Sequence, residues 1–487
     1  MSLESNTTHS EWTPERQAAA TRNVLFILAG GIVLGIFATA ANLYYVAACI
    51  AAALMVTLVA WQFEAALLVY VLVAFIPWGE TPDLAVGGSG VGKGVFVSEI
   101  MLGFLLVIWW GKYLLQALPR NRPRSGFHIP ILLYIAYSVL NVAHSFIFWD
   151  PHVNKIYQHP AVNVIELGLR ILSGGAFILL ATSVSSGKWL KWITVFLLLP
   201  GFYCLFNGAI GNRIPVSSPW WPLLSIFPVC YLWTITLDAT AKPFARLAAG
   251  AVVATAAYVI VVRDISWVSG WLGLLTALGA VTLFKSRRLF AAGVVVALVL
   301  AIAFWPFVQK NVFMASADEG DYDRFALLAG SWRYATTFPL GVGIGNYRTY
   351  NSFHYGQAWG TTAYTSAHGT YAQQLSEMGI PGFVLFVSIL VSGFLWMARN
   401  LVRTRGTPTA TYLLAAMGQM VGLASAATIG DYIIPTYHNG GVVTFSTTVY
   451  SWLIWGLAVA HVRLHAESSQ DVQPPVESEL AHSRGGR

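Results

Sequence analysis

His368 opens the run TSAHGTYAQQLSEMGIPGFVLF from residue 365 to 386. Within it Tyr371, Ala372, Leu375 and Met378 recur at helical spacing, Gly379 stands where a left-handed C-cap is wanted, and Pro381 follows. The pattern predicts a short surface helix with His368 near its N-terminus, leading into an apolar span. The positive end of such a helix disfavours imidazolium and lowers the pKa of the ring. A neutral imidazole is what a general base needs. The same position also suits a His that only hydrogen-bonds at an interface.

Two further groups upstream have chemical potential. The stretch DYDRFALLAGSWRYATTFPLGVGIGNY predicts a helix followed by a glycine loop. Asp321 or Asp323 can cap the helix, Phe325, Leu328, Ala329 and Trp332 share one face, and Pro339 ends it. Gly341, Gly343 and Gly345, with Asn346 after them, allow positive φ and close approach of backbone. Their N–H groups could form an anion nest, or the loop could be a tight turn packed on the membrane face. The second group is a set of arginines, Arg213, Arg263, Arg324, Arg333 and Arg348. Guanidinium forks bind phosphate oxygens in a bidentate way, so a diphosphate at the membrane surface is a fitting ligand.

These residues must be positioned by membrane helices. The chain has 487 residues, 56% hydrophobic and 10% charged, against about 25% charged in a soluble domain. Repeated apolar runs match the thickness of a bilayer. They are continuous rather than alternating, so helices are expected and a barrel is not. The predicted fold is all-α: a polytopic transmembrane helical bundle of about 12–14 spans with one large external loop containing short helices. Candidate spans centre near residues 32, 51, 70, 106, 138, 174, 198, 230, 253, 275, 297, 389, 419 and 451. With the N-terminus cytoplasmic, every second gap collects cations: Arg120, Arg122 and Arg124; Lys188 and Lys191; Lys242 and Arg246; Lys285, Arg287 and Arg288; Arg399, Arg403 and Arg405. The net charge of +7 is thus a topology signal and excludes nucleic acid as the expected partner. The predicted organisation is a cytoplasmic tail (1–22), an N-terminal bundle (23–306), the external loop with the catalytic elements (307–379), C-terminal spans (380–463) and a disordered cytoplasmic tail (464–487).

Other candidates carry less. Glu166 and Arg170 are i, i+4 partners inside a span, which predicts a structural ion pair. GGSGVGKG, residues 87–94, nearly fits a phosphate-binding loop, but Gly94 replaces the hydroxyl that Mg²⁺ requires. Cys49, Cys204 and Cys230 lie apart in apolar runs and read as packing residues. Asp431 and His438 share an external loop without forming a metal signature, and no metal or cofactor is expected.

Taken together, these pieces resemble the O-antigen ligase and O-antigen polymerase superfamily. The family pattern is His, then Asn, Ser or Gln, nine residues, and Gly-x-x-Gly; here His368 is followed by Gly369, nine residues, and Gly379-Ile-Pro-Gly382. Gly369 departs from the pattern. The stretch from Pro339 to Asn346 is family-like, and Arg263 and Arg324 resemble family arginines, although Val262 and Asp264 flank Arg263. The resemblance is strong over about residues 255–400. It implies an inner-membrane glycosyltransferase, without metal, with both termini cytoplasmic and the loop periplasmic. The donor would be a glycan on undecaprenyl diphosphate, and the acceptor a hydroxyl on lipid A-core or a growing polysaccharide. In catalysis Arg263 and Arg324 would hold the leaving group and His368 would serve the acceptor hydroxyl. Arg213, Arg333, Arg348, Gly341, Gly343, Gly345 and Asn346 would help bind substrate. The rival reading is a transporter or flippase of lipid-linked sugars gated by Glu166 and Arg170; it predicts inverted repeats, and the sequence shows none.

Overall fold

The computed structural model describes residues 62–75, 97–114, 125–211, 221–263, 267–309, 321–359, 367–438 and 444–470. The chain divides into two compact units, Met1–Tyr70 and Val71–Arg487. In the first, the described residues 62–70 are the start of an apolar helix, α1 (Phe63–Ala74). In the second, the longer described helices are α2 (Val97–Leu114), α3 (His128–Ile147), α4 (Pro160–Ser183), α5 (Gly187–Ala209), α6 (Ile226–Thr236) and α7 (Pro243–Ala257). They continue with α8 (Val268–Lys285), α9 (Arg287–Ala303), α10 (Asp321–Thr337), α11 (Thr370–Arg403), α12 (Pro408–Ala426) and α13 (Thr444–Gln470).

The protein is an all-α polytopic helical membrane protein. Six described helices are long and apolar enough to cross a bilayer: α3, α4, α5, α7 with its extension to Arg263, α8 and α11. They match the expected centres at 138, 174, 198, 253, 275 and 389. Helices also stand at 70, 106, 230, 297, 419 and 451. The centres at 32 and 51 lie outside the described residues.

Local chemistry starts several of these helices. Proline occupies the first turn of α4, α7 and α12, where its missing N–H costs nothing. The Ser286 hydroxyl accepts from the Leu289 amide at the start of α9, and Thr407 accepts from Ala410 at the start of α12. Packing then sets the bundle. α8 lies along α12, α13 along α4, and α6 against α12 and α7. Leu205, Val229, Val253, Ala256, Ile260 and Leu274 form one buried cluster among α5 to α8.

A second cluster builds the layer that carries the site. Val153, Leu327, Tyr334, Val342, Tyr347, Tyr350, Ala367 and Ala372 are buried together. The face that α10 buries differs from the expected one. Leu327, Ser331, Tyr334 and Ala335 point inward, while Leu328 and Trp332 are exposed, Trp332 by 60%. The aromatic neighbours decide this. Tyr334 meets Tyr347 at 5.4 Å and Trp359 at 4.7 Å, edge to face.

Candidate active site

α11 is two helices joined at Gly379, whose φ of 64° and ψ of −166° break the helical path. The kink falls at the expected cap. The first segment, Thr370 to Met378, is not the surface helix that periodicity suggests. All of its residues except Tyr371 are buried. α3, α10, α12, the glycine loop and the loop after α12 surround it. Its polar side chains find partners inside the protein. Tyr134 donates to Gln374 at 2.7 Å, Thr436 donates to Gln373 at 2.6 Å, and Gln373 donates to Glu377 at 3.2 Å.

The glycine loop lies on this segment. Val342 N–H donates to Ser376 O at 3.0 Å and Gly343 N–H to Glu377 O at 2.9 Å. Ile344 N–H donates to the Asn141 side chain at 2.9 Å, and Gly345 N–H to the Glu377 carboxylate. Asn346 N–H closes back on Gly343 O at 3.1 Å. Five successive amides are thus committed within the fold, so the loop is a packed turn and not an open anion nest. Gly341, Gly343 and Gly345 all take positive φ, as the pattern requires. Gly341 and Gly379 show why. A Cβ on Gly379 would lie 2.2 Å from Pro339 O, and one on Gly341 would lie 2.1 Å from Glu377 O.

Two asparagines that the sequence reading missed clamp the loop. Asn141 donates to Leu340 O at 2.9 Å and to Glu377 O at 3.2 Å. Asn163 donates to Ile344 O and, at 2.8 Å, to the Asn346 side chain. Buried Asn on otherwise apolar spans was the signal available for both.

Beneath the loop sits a buried ionic cluster. Arg170 donates to Glu166 at 3.4 Å, which is the expected pair, and to Glu377 at 3.2 Å, which sequence reading left without a role. Glu166 also accepts from the Tyr437 amide at 3.1 Å. One guanidinium therefore ties α4 to α11, and the two carboxylates carry the tie to the glycine loop and to the loop after α12. From that last loop, His438 Nε2 donates to Gly345 O at 3.1 Å. Burial pushes the His438 ring below the usual imidazole range. The Glu377 charge and the bond to Gly345 oppose that shift, while Arg348 and His159 reinforce it.

His368 stands two residues before α11, with Gly369 as the N-cap. Its φ is 46°, and it is the one non-glycine with positive φ among the described residues. The segment behind it is pinned: Thr370 N–H donates to Ala427 O at 3.0 Å and its hydroxyl to Gly430 O at 3.1 Å.

The arginines are distributed more widely. Arg263 ends the π-helical extension of α7, and its guanidinium donates to Gly208 O at the end of α5. Arg333 and Arg348 are exposed, on α10 and just after the glycine loop. Arg324 lies on α10, with its side chain outside the described residues, as is Arg213. Among the described residues no group of three or more His, Cys, Asp or Glu side chains has metal-binding geometry.

No curated protein matches the chain. Residues 250–387 match the family model described as O-antigen ligase. The match runs from α7 through Arg263, α10, the glycine loop and His368 past the kink of α11 into its second segment. Over those residues the chain is similar to the O-antigen ligase family, which supports the O-antigen ligase and O-antigen polymerase superfamily that its motifs suggest.

Proposed function

We propose that this protein transfers a glycan from undecaprenyl diphosphate to an acceptor hydroxyl, on lipid A-core or a growing polysaccharide, at the periplasmic face of the inner membrane. The observation that carries this reading is the backbone of His368. Alone among the described non-glycine residues in the left-handed region, and set before a segment fixed on all sides, His368 marks a side chain whose placement matters.

In the reaction the acceptor oxygen attacks the anomeric carbon of the donor. The bond from that carbon to the diphosphate oxygen breaks, and the leaving group keeps the electron pair. His368 takes or orients the hydroxyl proton. Arg263 and Arg324 stabilise charge as it develops on the diphosphate, with Arg213, Arg333 and Arg348 as further contacts. The glycine loop with Asn346 acts as structural support, since its amides are already engaged. Both substrates are lipid-borne, so confinement to one surface supplies proximity. Purified protein given undecaprenyl-diphosphate-linked glycan and a candidate acceptor tests this reading. Glycosylated acceptor and free undecaprenyl diphosphate should form together, and absence of both from folded protein rejects it.

A further inference from the structure

A groove of about 500 Å³ opens where α3 ends against the start of the glycine loop. Phe148, Trp149, Tyr350, His144 and Asp150 line it, with Leu340 and Gly341 forming the wall shared with the loop. Its size is that of a small-molecule site.

The wall is mainly aromatic and rigidly held. Trp149 meets Tyr350 at 5.1 Å, edge to face, and its indole N–H is already spent on Val153 O at 2.5 Å. What Trp149 offers a ligand is therefore a ring and not a donor. The His144 ring stacks on Phe148 at 4.9 Å, and Phe148 is 66% exposed. The polar groups are few. His144 Nδ1 is buried without a hydrogen-bond partner. The Asp150 carboxylate is fixed by the Tyr355 hydroxyl and by the His152 amide and ring, at 2.8 and 2.9 Å. Burial pushes Asp150 up, but those bonds outweigh it and hold the carboxyl below its ordinary range, so it is an acceptor at neutral pH.

Three occupants can be compared by chemistry. A diphosphate would meet a carboxylate and no lysine or arginine among the lining residues, which is repulsive. A lipid chain would use the rings but leave Asp150 and His144 without purpose. A pyranose uses both, because it has an apolar C–H face for a ring and hydroxyls that donate to a carboxylate. We propose that this groove is a subsite for the sugar portion of the glycan substrate, stacking a pyranose on Phe148 and Trp149 and bonding its hydroxyls to Asp150 and His144. The assignment rests on the transferase reading and names where, beside the glycine loop, that substrate's sugars sit.

The test uses Ile147→Cys in the full-length protein in lipid nanodiscs, since Ile147 lines the groove and is 72% exposed. Modification of residue 147 by a water-soluble maleimide is followed by mass spectrometry. The probe is oligosaccharide released by mild acid from the host's own surface polysaccharide, free of lipid and diphosphate. It should slow modification. Adding Phe148→Ala or His144→Ala should weaken that protection about 2–10-fold, the loss expected for one stacking or one hydrogen-bonding partner. Adding His368→Gly should leave protection intact, so a failed transfer reaction and a failed groove are told apart. No protection by the oligosaccharide, protection untouched by both groove variants, or protection by sugar-free polyprenyl monophosphate alone overturns the proposal.

Discussion

Arg170 and Glu377 meet at 3.2 Å across two helices, both fully buried, and the same carboxylate accepts the Gly345 amide. A single cation thus ties the glycine loop that precedes His368 to the helix that follows it. The arrangement is asymmetric, because Arg170 also faces Glu166.

That asymmetry sets an order among variants. Arg170→Met strands two carboxylates together in the bundle and should cost about 3–5 kcal/mol. Glu377→Gln leaves Arg170 and Glu166 paired and keeps an acceptor for Gly345, so about 1–2 kcal/mol is expected. Thermal stability of the detergent-purified proteins checks this. A Glu377→Gln protein less stable than Arg170→Met would contradict the arrangement.

Backbone geometry makes a second contrast. Gly379 and Gly406 both have positive φ, but a Cβ at Gly379 strikes Pro339 O whereas one at Gly406 meets nothing. Gly406→Ala should cost only the conformational term of about 1–2 kcal/mol. Gly379→Ala should cost clearly more, or prevent accumulation in the membrane. Abundance and melting temperature of the two proteins decide the point.

His438 predicts a pH dependence. Its folded pKa is depressed by burial, so below the unfolded value of 6.5 the unfolded chain binds the extra proton. The stability it contributes is full above that value and is lost as pH falls toward the folded pKa. Amide exchange at Gly343 and Gly345 should therefore speed up as pH drops below about 6.5, beyond the intrinsic trend. His438→Gln should flatten that response. An unchanged slope would show that His438 does not hold the loop.

The parts of the fold and candidate site legible in sequence were those set by local chemistry. Apolar runs placed the helices, Gly379 and Pro381 marked the kink, alternating glycines gave positive φ, and Glu166 announced Arg170 four residues on. Long-range partners left weaker marks. Asn141, Asn163 and Glu377 act through backbone far away in the chain, and nothing in their own neighbourhoods fixes those contacts. Periodicity also misled where protein packs around an element on all sides. The segment after His368 is buried almost all round because its Gln, Ser and Glu side chains have internal partners, and α10 turned by about one residue to seat Tyr334 among aromatic rings.

His368→Gly is the most direct trial of the central claim, because glycine accepts a φ of 46° without strain while the imidazole and its methylene are removed. The measurement is the rate at which purified protein moves glycan from undecaprenyl diphosphate to acceptor. The variant should fold and accumulate like the parent while transfer falls by about 100-fold or more, the range for losing an acid–base group. A His368→Gly protein that transfers at the parent's rate would contradict the account.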